Sequence, residues 1–111
     1  MYIGENVKIL SVYVDEKDKF HHKPVYEAVL GILHENNIAG ASIFRGAGGF
    51  GADGVMHSIK MLELSSDLPI KIEAVDSEEK IDSVLSEICN VVEKGLVTVG
   101  NTMVLRCRER K

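Results

Sequence analysis

Excess positive charge is missing from this chain. Thirteen Lys and Arg stand against seventeen Asp and Glu, a formal net charge of −4, which argues against a general nucleic-acid binder. Cysteine is scarce: Cys89 and Cys107 lie far apart with no histidine or further cysteine near them. A zinc ribbon is therefore not expected, and two free thiols in a reducing compartment are. No apolar run approaches the roughly eighteen residues of a membrane span. The first residues also lack the basic and apolar regions of a signal peptide, so the expected location is the cytoplasm. Long linkers, low-complexity segments and solenoid-length repeats are absent too. Ser65-Ser66-Asp67 reads as turn chemistry, and spacing places no Ser-His-Asp set or carboxylate dyad, so catalysis is not expected. One globular domain of 111 residues remains, long enough to bury about two thirds of its unfolded surface.

What is present has a clear order. Val7 to Val14 is rich in β-branched residues and predicts a strand. A polar connection runs from Asp15 to His22. Pro24 suits the first turn of a helix, with Tyr26, Val29, Leu30 and Leu33 at helical spacing until Asn36-Asn37. Ala41 to Arg45 predicts a second strand, and His57 to Leu64 a possible resumption of extended chain. Ile70, Ile72 and Ala74 alternate with Lys71 and Glu73, as in a strand with one buried face. Asp76 or Ser77 suits the cap of a second helix, whose stripe is Ile81, Val84, Leu85, Ile88 and Val92. Gly95 is placed to end it, and Leu96–Val99 and Thr102–Cys107 predict strand material interrupted at Gly100-Asn101. The βαββαβ order predicts an α+β ferredoxin-like sandwich, an antiparallel sheet with two helices on one face. Val12, Val14, Ile43 and Ile72 are more apolar strand residues than one buried face accommodates easily, which predicts oligomerisation through the open face.

Five of the ten glycines fall between Gly46 and Gly54: Gly46, Gly48, Gly49, Gly51 and Gly54. Glycine loses more backbone freedom on ordering than any other residue, so the cluster has a reason. Either the segment is a flexible connection, or backbone N–H groups there approach an anion with no side chain in the way. The sequence is neither a Walker nor a Rossmann motif. At the other end, Arg106, Arg108, Arg110 and Lys111 make a basic strip in an acidic protein. His21 and His22 are adjacent and point apart in most conformations, and His57 with Lys60 is a candidate anion contact. Met56, Met61 and Met103 read as core or interface filling.

Ile38-Ala39-Gly40-Ala41-Ser42-Ile43 followed by Gly49-Phe50-Gly51 resembles the strand and loop base of PII nitrogen-signalling proteins. Leu68-Pro69-Ile70-Lys71-Ile72-Glu73 and Val104-Leu105-Arg106-Cys107-Arg108 resemble that family's third and last strands. With Phe20-His21-His22-Lys23-Pro24-Val25-Tyr26-Glu27, nearly the whole chain is similar to an uncharacterised PII-like family of bacteria and archaea. The resemblance implies a homotrimer with an adenine nucleotide (ADP, ATP or AMP) in clefts between subunits. It implies nucleotide contacts from Gly49, Gly51, Gly95, Arg106 and Arg108, the two arginines meeting phosphate. Alternate strand positions would turn both arginines to one face. It further implies a flexible loop, about residues 46–57, whose Gly46, Gly48, Phe50, Asp53, Gly54 and His57 contact a partner, such as a membrane transporter.

The chain also departs from true PII proteins. Lys94-Gly95-Leu96-Val97-Thr98-Val99 is shorter and more apolar than their glycine-rich connection, and Lys94 precedes the glycine where theirs follows it. Gly46 to Met56 holds no tyrosine, and Ala52 and Asp53 do not match the polar residue linked to a second effector. Uridylylation and 2-oxoglutarate sensing are therefore not implied. No metal is expected. The other reading is a CutA-like metal-binding or structural trimer, which would show metal-dependent thermal stabilisation lost on replacing His21, His22 or His57.

Overall fold

The computed structural model describes residues 1–51, 54–55 and 67–107. The expected extended stretch His57–Leu64 lies outside them, as do Asp53 and Arg108. Asn6–Asp15 forms β1, Lys19–Phe20 and Lys23–Pro24 form the short β2 and β3, and Val25–Glu35 forms α1. Ala41–Arg45 is β4, Pro69–Asp76 is β5, Glu78–Val91 is α2 and Leu96–Met103 is β6. The four longer strands make one antiparallel sheet in the order β4-β5-β1-β6. With α1 following β1 and α2 following β5, this is the expected ferredoxin-like sandwich.

The core lies between sheet and helices and is aliphatic. Leu10, Val12 and Val14 of β1 and Ile70, Ile72 and Ala74 of β5 pack against Val25, Val29, Ile32 and Leu33 of α1 and Ile81, Val84, Ile88 and Val91 of α2. Alternation decides which strand residues take part, because successive side chains point to opposite faces. Register corrects the argument for an apolar open face. Val12 pairs with Ile72, Ile43 with Ile72, and Val14 with Ile70, so all four residues cited for it share the helix-covered face. The open face carries different apolar groups: Tyr13, Phe44 and Leu96 are all substantially exposed. On that face Lys71 pairs with Glu73 at 2.9 Å, and the hydrogen bond to Glu73 raises the Lys71 pKa above its ordinary value.

Local chemistry sets the ends of the elements. In α1, Asn37 takes a positive φ of 57°, its N–H donates to the His34 carbonyl, and the Ile38 N–H donates to the Leu33 carbonyl. That pair of bonds is a Schellman stop, with asparagine tolerating the left-handed position. Ser77 is the cap of α2, its hydroxyl accepting the Lys80 N–H at 3.3 Å. Asp76 takes another role: its carboxylate accepts the Ala39 N–H at 2.9 Å and the Ser77 N–H at 2.7 Å. Gly95 does not end α2, whose cap is Val92. It forms the turn into β6 instead, at φ 131°. β6 also runs unbroken through Gly100 and Asn101, because both keep their pairing with β1. The polar connection holds the β2–β3 hairpin, with His21 and His22 at φ 50° and 67° in its two-residue turn. Such a turn requires positive φ at both central positions. Among the described residues no helix is long and apolar enough to cross a membrane.

Candidate functional site

A cavity of about 520 Å³ opens where the end of β1, the glycine segment and the α2–β6 turn meet. That is within the roughly 300–1,000 Å³ usual for small-molecule pockets. Tyr13, Val14 and Asp15 enter it from β1, Asp18 from the following turn, and Pro69 from β5. Gly49, Phe50 and Gly51 form one rim, and Lys94, Gly95 and Leu96 the opposite one.

Each glycine there has its own physical cause. A side chain on Gly95 would meet the Tyr13 carbonyl oxygen, and its φ is 131°, so only glycine lets this turn close on β1. A Cβ on Gly46 would lie 2.7 Å from Pro69 Cγ, so the segment leaves β4 in direct contact with the first residue of β5. Gly49 sits at φ 150° near the same proline. Gly51 differs, since a Cβ there would meet nothing within 4 Å and its φ is ordinary. No described residue demands glycine at that position.

The walls combine apolar surface with few charges. Phe50, 68% exposed, offers a ring at the rim. Lys94 supplies the cation among the described lining residues, against the carboxylates of Asp15 and Asp18. Asp18 is tied down, with Oδ2 accepting the Asp15 N–H at 3.0 Å and its backbone carbonyl accepting the Val25 N–H at 2.9 Å. An apolar slot with glycines at both rims, and one ammonium beside two carboxylates, suits a flat, partly apolar ligand that offers an acceptor to Lys94.

Three of the sequence-predicted nucleotide contacts, Gly49, Gly51 and Gly95, line this one cavity. Arg106 does not. β6 runs from Leu96, opposite Tyr13, to Met103, opposite Asn6, and the Gly4 N–H then donates to the Val104 carbonyl at 2.7 Å. Arg106 therefore lies at the far end of the sheet, about 25 Å along the strand from the cavity. It also lies beyond the end of β6, so alternation along a strand does not orient it. Among the described residues of one chain, Arg106 and the glycine rim do not line one cavity. Phe50, predicted on the partner loop, belongs to the cavity rim, while Gly46, Gly48 and Gly54 do not line it. Asp53, His57 and Arg108 lie outside the described residues.

Sequence reasoning missed the contribution of Tyr13 and Asp15 of β1 and of Asp18 in the following turn, and it treated Lys94 as displaced from its role. The available signal was Asp15-Glu16-Lys17-Asp18, a charged run directly where the first strand ends. A second hollow of about 510 Å³, between α1 and the start of β4, holds none of the predicted residues. Among the described residues no three His, Cys, Asp or Glu side chains converge to hold a metal.

Residues 7–104 match the family described as Uncharacterized ACR, DUF190. The chain belongs to the DUF190 (UPF0166) family. It is 36% identical over 100 residues to a UPF0166 protein of Methanocaldococcus jannaschii, covering 89% of this chain and 92% of that one. To a UPF0166 protein of Aquifex aeolicus it is 34% identical over 98 residues, covering 88% and 92%. Among solved structures it is similar to CPII, a nitrogen regulatory PII-like protein of Thiomonas intermedia, solved with ADP, AMP and bicarbonate. That likeness has a TM-score of 0.70 at 23% identity over 92% and 91% of the two chains. Apo CPII gives a TM-score of 0.60 at 22% identity over 93% and 96%. These likenesses establish the PII-like fold of this DUF190 chain.

Proposed function

We propose that this protein is a PII-like regulatory protein that binds an adenine nucleotide, AMP, ADP or ATP, in the cavity between the Gly49–Gly51 rim and the Lys94–Gly95 turn. The observation that carries the reading is that these pieces, far apart in sequence, meet at one cavity with the side-chain-poor backbone that a phosphate-bearing ligand needs. CPII, a protein of the same fold, is described with ADP and AMP bound, which supports the ligand class.

In this reading the base lies against Phe50 and the apolar wall of Tyr13 and Leu96, and Lys94 meets the phosphates. Arg106 and Arg108 reach the phosphates from a neighbouring copy in a homotrimer, because Arg106 of the same chain lies at the wrong end of the sheet. The segment from Gly46 to His57 is the surface a partner protein reads. A ligand shifts it only by as much as it prefers one of its states over another. The chain's own chemistry leaves that partner unspecified, a membrane transporter being one class.

Isothermal titration with AMP, ADP, ATP and cyclic dinucleotides tests the reading. At least one adenine nucleotide should bind the wild-type protein. Lys94→Ala, and Arg106→Ala with Arg108→Ala, should each weaken binding, a charge-assisted contact contributing about 1.5–3 kcal/mol. If no nucleotide binds at millimolar concentration, the reading fails.

A further inference from the structure

Arg45 and Glu16 lie next to this cavity without lining it, and sequence reasoning assigned neither a role. Arg45 is the last residue of β4 and pairs with Ile70 of β5. Glu16 is the first residue after β1, and β5 runs between the two strands. The arginine thus spans two inter-strand spacings, about 10 Å. Its Nε lies 3.3 and 3.1 Å from the two Glu16 carboxylate oxygens, and Nη2 lies 3.0 Å from Oε1. The Glu16 Oε1 also accepts the Leu68 N–H at 3.4 Å, while the Glu16 N–H donates to the Leu68 carbonyl at 3.0 Å. Three strand ends are tied at one corner.

That corner carries the glycine rim. Directly after Arg45, the Gly46 N–H donates to the Pro69 carbonyl at 2.7 Å. Gly46 and Gly49 both approach the Pro69 ring, and Pro69 itself lines the cavity. Asp15, next to Glu16, lines it too. The pair is partly exposed, with Arg45 at 49% and Glu16 at 24%. Exposed ion pairs contribute little to global stability unless their geometry is well fixed, and the three-bond fork fixes it here. A planar guanidinium fixes direction as well as distance, which a lysine ammonium does not.

We infer that Arg45, through its fork to Glu16, is a positioning residue that sets where Gly49 and Gly51 stand on the rim of the nucleotide cavity. The inference rests on the proposed nucleotide site for its affinity consequence, but its geometric content is independent of any ligand. Two measurements on the full-length protein separate these. The first is the amide resonances of Gly49 and Gly51 in the unliganded protein, compared between wild type and Arg45→Gln. The second is adenine nucleotide affinity by titration. Lys8→Gln serves as the control, since it breaks another surface ion pair, to Glu78 at 3.7 Å, at the end of the sheet away from the cavity.

The expected result is displaced Gly49 and Gly51 resonances in Arg45→Gln and an affinity lower by about fivefold or more. Arg45→Lys should restore only part of the affinity. Lys8→Gln should leave both readouts at wild-type values. Should Arg45→Gln fail to fold, Glu16→Gln keeps an oxygen for the Leu68 N–H while removing the charged fork, and should give the same displacement. Unmoved glycine resonances overturn the inference. So does an affinity left unchanged by Arg45→Gln where the wild type binds nucleotide. If the wild type binds none, the nucleotide reading falls, and the resonances alone decide the role of Arg45.

Discussion

At the scale of single residues, the glycines separate folding from function. Gly95 and Gly51 line the same cavity, yet among the described residues a contact demands glycine at Gly95 and none does at Gly51. Gly95→Ala should destabilise the fold by about 1–3 kcal/mol from its backbone conformation, with more from the encounter between the new methyl and the Tyr13 carbonyl. Gly51→Ala should change stability by no more than about 0.5 kcal/mol, as surface substitutions do. Urea unfolding of the two variants measures the contrast directly. Gly51→Val then becomes a clean probe: it should unfold like wild type while binding nucleotide more weakly. If Gly51→Val is as unstable as Gly95→Ala, its glycine serves folding and the ligand argument at that position is lost.

At the scale of elements, the most informative residue is Asp76, at the β5–α2 junction. Its buried carboxylate accepts one N–H from the end of the α1–β4 connection and one from the start of α2. Asp76→Ala should cost about 2–3 kcal/mol, because two amide groups lose their acceptor in a poorly solvated place. Asp76→Asn, which retains one carbonyl acceptor, should cost less. Chemical denaturation of both variants gives the order, and equal costs would mean that the bond asparagine retains contributes nothing without the other. Much of this level was legible in the sequence. β4 falls on Ala41–Arg45 as read, and the alternation in Ile70, Ile72 and Ala74 marks β5. What was not legible depends on partners distant in the chain. Gly100 and Asn101 look like a break until β1 pairs with them, and Gly95 looks like a helix stop until Tyr13 lies against it. The β2–β3 hairpin hides because His21 and His22 occupy a turn usually signalled by Asn-Gly. Of the candidate site, the glycine rims were legible because close backbone approach leaves a compositional mark. The residues at the end of β1 were not, because the charged run Asp15-Glu16-Lys17-Asp18 reads equally as a solvated connection.

At the scale of the whole molecule, the distance between Lys94 and Arg106 becomes a prediction about assembly. The open sheet face leaves Tyr13, Phe44 and Leu96 at 41%, 50% and 55% exposure, an apolar surface of the kind that mates with another subunit. In the proposed homotrimer, self-association there would bring a far-end arginine of one copy to a cavity of the next. In a closed ring of three, every cavity would then take its lysine from one subunit and its arginine from a neighbour. Lys94→Ala and Arg106→Ala proteins, each weak in nucleotide binding, can be denatured together in equal amounts and refolded as mixed assemblies. Random mixing restores both residues to roughly one cleft in four, since each cleft draws on two independently chosen subunits. Titration of the mixture should therefore show a minority class of sites with wild-type affinity, absent from either parent alone. If Lys94 and Arg106 act within one chain, no mixture regains such sites, because every chain carries a defect. Sedimentation of the same samples confirms that assemblies have formed, so that absence of recovery speaks against shared clefts and not against refolding.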